Sequence, residues 1–108
     1  MQSPDRHELP GADLLRLARN SIEYGLDHDE PVPVDLDSLP ADLMEPAATF
    51  TTLRLNEKLR GCCGTLEAAH PLAMDVSRSA FQAAFRDLRF QPLARDEFGR
   101  IRLEVSVL

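Results

Sequence analysis

Two adjacent cysteines, Cys62 and Cys63, are the only thiols in this 108-residue chain, and Arg60 precedes them by two positions. A thiol beside a guanidinium suits nucleophilic or redox chemistry, because a nearby positive charge favours the thiolate. Whether the two meet depends on the backbone. Residues 59–66, Leu-Arg-Gly-Cys-Cys-Gly-Thr-Leu, read as a strand, in which side chains alternate between faces. The alternation predicts Arg60, Cys62 and Gly64 on one face and Leu59, Gly61, Cys63 and Thr65 on the other. Cys62 is then the candidate nucleophile, with Arg60 favouring its thiolate or holding an anionic group, and Cys63 is a small buried hydrophobe. The plainer reading is that both thiols are packed and inert. A disulfide between neighbours would be strained and would staple nothing.

Gly61 and Gly64 bracket the pair. Glycine inside a strand marks a bulge or a close approach by a ligand or another backbone. A catalytic thiol also wants a base. Of the histidines, His7 lies near the N-terminus, His28 in an acidic stretch, and His70 eight residues beyond Cys62, where direct contact is hard. Glu104 or Ser106 can contribute only if their strand pairs in a suitable register. Two thiols alone make neither a structural zinc site nor an iron–sulfur site, and no phosphate-cradling glycine loop is present, so no cofactor is expected.

The elements that must position this strand follow from periodicity. Residues 12–26 predict an amphipathic helix with Leu15, Ala18, Ile22 and Leu26 as its apolar stripe, flanked by Leu14 and Gly25. Residues 27–48 hold seven acids, four prolines and no Lys or Arg, and predict a solvated connector. Residues 48–55 predict a strand, Asn56 to Lys58 a turn, and the motif strand completes a hairpin. Residues 71–87 predict the second helix, opened by Pro71. Residues 100–108 alternate as a strand that buries Ile101, Leu103, Val105 and Val107. The predicted class is α+β: an antiparallel or mixed sheet packed against two helices, with a tail at 1–11 and one domain over 12–108.

Composition narrows the function classes. The chain carries 18 acids and 12 bases and is 44% hydrophobic, ordinary for a globular domain. The acidity is local: residues 1–49 hold 11 acids and 3 bases, and residues 50–108 hold 7 acids and 9 bases. Net acidity argues against nucleic acid as the main partner. No apolar run has the length of a membrane span, and free thiols without an apolar leader segment suit a reducing cytoplasm.

The octapeptide at 59–66 resembles the Leu-Arg-Gly-Cys-Ile-Gly-Thr-Leu signature of the AMMECR domain family, whose microbial members include the AmmeMemoRadiSam system protein A group. The resemblance continues through Glu67-Ala68-Ala69-His70-Pro71-Leu72, the Asp87-Leu88-Arg89-Phe90 segment (Asp-Pro-Arg-Phe in the family) and Glu104-Val105-Ser106-Val107-Leu108. Cys62 aligns with the family cysteine. Cys63 replaces isoleucine, and Leu88 replaces proline, so the turn before Arg89 is expected to differ. Gly61 and Gly64, which bracket the thiols, are candidate binding residues together with Thr65 and Arg89. The resemblance implies an accessory place beside Memo-like and radical SAM proteins, with a cysteine-dependent enzyme on a small or peptide substrate as the alternative. Family domains run well past the Ser-Val-Leu strand, so the chain is expected to be the front part of a longer domain that exposes apolar surface and self-associates.

Overall fold

A computed structural model describes residues 11–108. Of the expected tail at 1–11, residues 1–10, with His7, lie outside the described residues, and Gly11 opens the first helix instead. The elements run α1 (Gly11–His28), α2 (Ala41–Met44), β1 (Pro46–Ala47), β2 (Thr49–Leu55), β3 (Lys58–Gly64), β4 (His70–Pro71), α3 (Leu72–Phe85), α4 (Arg95–Phe98) and β5 (Ile101–Val107). Strands β3, β2 and β5 form an antiparallel sheet in that order, and β1 pairs with β4 in a separate antiparallel ribbon. Helices α1 and α3 pack on each other and cover one sheet face, α3 over β2 and β3, α1 over β5. The α+β expectation holds, with an antiparallel sheet.

Apolar spacing makes the helices. In α1 the buried apolar side chains are Leu14, Ala18 and Ile22, four residues apart, with Gly25 one turn on. Leu15, placed in the stripe by sequence, is 41% exposed. The stripe is turned by one residue because Gly25 faces the rings of Phe81 and Phe85, where a Cβ would come within 2.6 Å of Phe85. In α3, Leu72, Val76, Ala80 and Ala83 are buried, and so are Asp75 and Ser79 on the same side. Pro71 sits immediately before the first turn.

The stretch 27–48 is more than a connector. Ser21 and Ser77 meet inside the helix pair, and their hydroxyls pin the backbone of Val32: the Val32 N–H donates to Ser21 Oγ at 3.2 Å, and Ser77 Oγ donates to Val32 O at 2.8 Å. Leu43 of α2 reaches the core, and Glu45 O accepts from Leu72 N. Its acids stay at the surface, where Asp27 pairs with Arg95 and Asp29 with Arg86.

The β2–β3 hairpin turns on Asn56 and Glu57, both left-handed at φ 55° and 66°. A register shift follows: Arg54 faces Leu59, and Leu53 faces Gly61, so Arg60 is an extra residue in β3. This bulge corrects the simple alternation. Leu59, expected to be buried beside Cys63, lies opposite Arg54 and is 38% exposed. Beyond the bulge Gly61 lies against α3, and a Cβ there would sit 2.1 Å from Ala83 O. The close approach suggested by the glycine is thus made by a helix backbone.

Gly61→Ala is expected to cost about 3 kcal/mol in denaturant melts, because the strand must move off α3. Gly99→Ala is the control. It meets nothing within 4 Å and has helical φ −74°, so it should leave stability unchanged or raise it by about 0.5 kcal/mol.

Candidate functional site

The motif strand β3 is an edge of the sheet, and its residues face different partners. Cys62 pairs with Thr52 across β2, and Cys62 Sγ lies 3.4 Å from Thr52 Oγ1 on the face away from the helices. Glu104 of β5 pairs with Thr52 from the other side. The register does therefore set Cys62, Thr52 and Glu104 in one row, with Thr52 between the two candidates and about 10 Å across two strand spacings. Glu104 is engaged elsewhere: Arg54 Nε donates to it at 3.1 Å and Arg102 Nη1 at 2.8 Å, and these bonds, Arg54 first, lower its carboxyl pKa. Ser106 lies opposite Phe50, one pair further along the same face.

Arg60 takes a different partner from the one its spacing suggested. Its Nε and Nη2 donate to Glu97 of α4 at 3.0 and 2.9 Å, its Nη2 also reaches Pro92 O, and Phe90 lies under its guanidinium at 5.9 Å. Its Nη1 is buried without a hydrogen-bond partner among the described residues. Glu97 also accepts from Ala94 N, so one carboxylate shapes α4 and holds Arg60; the Arg60 bond is the main cause of its lowered pKa. Because β3 is an edge strand, Cys62 N–H points outward, and Asp87 Oδ2 accepts it at 3.0 Å. Asp87 is held in turn by Arg89, whose backbone N–H, Nε and Nη2 all donate to it. Arg89 therefore braces the cap on the cysteine strand. Leu88 sits 98% exposed at the second position of a turn closed by Phe90 N–H to Asp87 O, a position proline also suits, so the turn forms without it.

On the helix side, Cys63 Sγ donates to Gln82 Oε1 at 3.3 Å and packs against the core, and burial raises its thiol pKa. Gly64 lies opposite Phe50, with no room for a Cβ beside that ring and Thr49 O. Thr65 Oγ1 donates to both oxygens of Asp75 at 3.2 Å. Asp75 is 1% exposed, in the first turn of α3, and also accepts from Thr49 N–H at 2.8 Å and Thr49 Oγ1 at 2.6 Å, both on Oδ2. Ser79 Oγ extends the network to Thr49 and Thr51 at 3.1 and 2.9 Å.

A pocket of about 360 Å³ opens here, between the end of β3, the 65–70 loop and α3. Thr65 and His70 line one side, and Asp75, Arg78, Ser79 and Gln82 of α3 line the other. His70 is also fixed in β4 opposite Ala47. Sequence reasoning singles out Thr65, weighs His70 only as a partner for Cys62 and sets it aside, and misses the four helix residues. The available signal was two polar residues, Asp75 and Ser79, at core positions of an amphipathic helix. Among the described residues, no three of His, Cys, Asp and Glu gather as a metal-ligand set, and no helix is long and apolar enough to cross a membrane.

The fold and site define an α+β domain in which the Leu-Arg-Gly-Cys strand ends at a polar pocket. The AMMECR1 family model matches residues 15–108, and the chain belongs to that family. A protein of Aeropyrum pernix is 38% identical over 108 residues, covering 94% of this chain and 46% of its own length. Protein NEQ441 of Nanoarchaeum equitans is 38% identical over 97 residues, covering 88% of this chain and 52% of its own. The crystal structure of uncharacterized protein PH0010 from Pyrococcus horikoshii superposes with a TM-score of 0.82 at 33% identity, over 90% of this chain and 50% of that one. The chain spans about half the length of the relatives it matches.

The Asp87 cap should be visible in acid. Its hydrogen bonds from Arg89, then from Cys62 N–H, hold its pKa below the usual carboxylate value, against its burial at 7% side-chain exposure. A depressed folded pKa contributes stability in full above the unfolded value of about 4, and the contribution is lost as pH falls toward the folded value. Asp87→Asn should therefore lower Tm at pH 7, and the gap to the parent should narrow between about pH 4 and pH 2. A gap independent of pH would show that the charge contributes nothing.

Proposed function

We propose that this AMMECR1-family chain is a cytoplasmic ligand-binding accessory domain that works beside Memo-like and radical SAM proteins. The observation that carries this reading is the separation of thiol and pocket. Cys62 Sγ lies beside Thr52 on the face away from the helices, whereas the pocket and His70 lie on the helix side. A nucleophilic thiol is activated by a base within hydrogen-bond reach or by a cation that favours its thiolate, and the candidate cation, Arg60, is committed to Glu97. The carboxylate in its row, Glu104, is held by two arginines, and the carboxylate at its backbone, Asp87, is held by Arg89. The alternative, a cysteine-dependent enzyme acting on a small or peptide substrate, lacks that base in this arrangement of the described residues. The accessory place beside the two partner proteins rests on the resemblance of residues 59–66 to the signature of a family whose microbial members include the AmmeMemoRadiSam system protein A group.

The test mixes the purified chain with Memo-like and radical SAM proteins from the same cell and reads association and product formation. Cys62→Ser should leave both within about twofold, because a contact worth less than 0.5 kcal/mol changes an equilibrium by no more than that. A loss of more than tenfold in a variant that melts like the parent would contradict the reading, as would the failure of the parent chain to associate.

A further inference from the structure

Asp75 is a buried carboxylate without a cationic partner among the described residues. Buried charges are normally paired. Its donors are neutral: Thr49 occupies Oδ2 twice, and Thr65 is shared between the two oxygens. A carboxylate offers about four acceptor positions, so Oδ1 keeps capacity for a further donor. Asp75 also lines the pocket, and Glu67 in the covering loop adds a second carboxylate to the same lining. One turn along α3, Arg78 is exposed, borders the same cavity, and makes no hydrogen bond or ion pair among the described residues. A carboxylate at depth and a free guanidinium one helical turn away are complementary to a small molecule with an ammonium group next to an anionic one.

We propose that the pocket binds a free α-amino acid, its ammonium directed to Asp75 and Ser79 and its carboxylate to Arg78. This rests on the ligand-binding reading of the domain and names the ligand class. Arg78 can bind the carboxylate in a bidentate fork. The volume of about 360 Å³ is at the low end for small-molecule pockets and leaves room for an amino acid with its side chain. Cys63 backs the site through Gln82 without entering the proposed contacts.

The experiment follows backbone amide shifts of the full chain during titration with L-alanine. Ethylamine, which lacks the carboxylate, propionate, which lacks the ammonium, and L-alanyl-L-alaninamide, which presents an ammonium without an adjacent carboxylate, serve as comparison ligands. L-Alanine should give saturable shifts at Thr65, His70, Arg78 and Ser79 with Kd on the order of 1 mM. Propionate should give none, and ethylamine and the dipeptide amide should bind about tenfold more weakly. Arg78→Met, at an exposed position that leaves the core intact, should bring L-alanine down to the affinity of ethylamine and leave ethylamine unchanged. Glu67→Gln should weaken both amines. No saturable shift at those amides, equal binding of propionate, or indifference to Arg78→Met would each overturn the proposal. Dipeptide binding equal to that of alanine would reassign the site to a peptide N-terminus. If alanine fails while Cys62→Ser still associates with the partner proteins, only the ligand assignment falls.

Discussion

The carboxylate of Asp75 ties the sheet to its covering helix. It accepts the N–H and hydroxyl at the start of β2 and the hydroxyl just past the end of β3, all from the first turn of α3. Thr49 and Thr51 can be fully buried because the carboxylate accepts the Thr49 hydroxyl and the Thr51 hydroxyl shares a hydrogen bond with Ser79. Without these acceptors each threonine would bury an unmade hydrogen bond, at about 1–3 kcal/mol each. The helix dipole favours a negative charge in its first turn, which offsets part of the cost of burying the carboxylate. The same bonds fix the distance between α3 and the end of β3, and so the width of the pocket between them.

The Leu-Arg-Gly-Cys-Cys-Gly-Thr segment takes on meaning from this geometry. Arg60 secures α4 through Glu97, and Gly61 admits the backbone of Ala83. Cys62 N–H receives the cap of Asp87, Cys63 meets Gln82, Gly64 accommodates Phe50, and Thr65 reaches Asp75. The segment is a seam at which an edge strand, a helix and two loops meet. A motif centred on cysteine invites a catalytic reading, yet nearly every residue in it has a structural partner. Half-buried Cys62, beside Thr52, makes the lightest commitment through its side chain.

Much of the fold was legible in the sequence, because helices of 3.6-residue period and strands of period two leave different apolar patterns. The helices over 12–26 and 71–87 and the strand over 100–108 stand within a few residues of their predicted limits. What alternation could not anticipate was the bulge at Arg60, since one extra residue moves Leu59 to the other face and frees Arg60 for Glu97. Nor could composition show that an acidic, proline-rich stretch would be anchored by Ser21 and Ser77 at Val32. The pocket was half legible. Thr65 belonged to the motif and His70 to its continuation, but Asp75 and Ser79 were masked by the apolar stripe in which they sit. Long-range hydrogen bonds such as Asp75 to Thr49, 26 residues apart, leave no local pattern.

Amide hydrogen exchange at Thr49 tests the role of Asp75 most directly. Thr49 begins β2, where strand ends ordinarily fray and exchange fast. If its N–H is held by the buried carboxylate, it should exchange only with global unfolding, as slowly as Leu53 at the centre of the sheet. Exchange at Thr49 at the rate of an exposed strand end, with Leu53 still protected, would contradict the account.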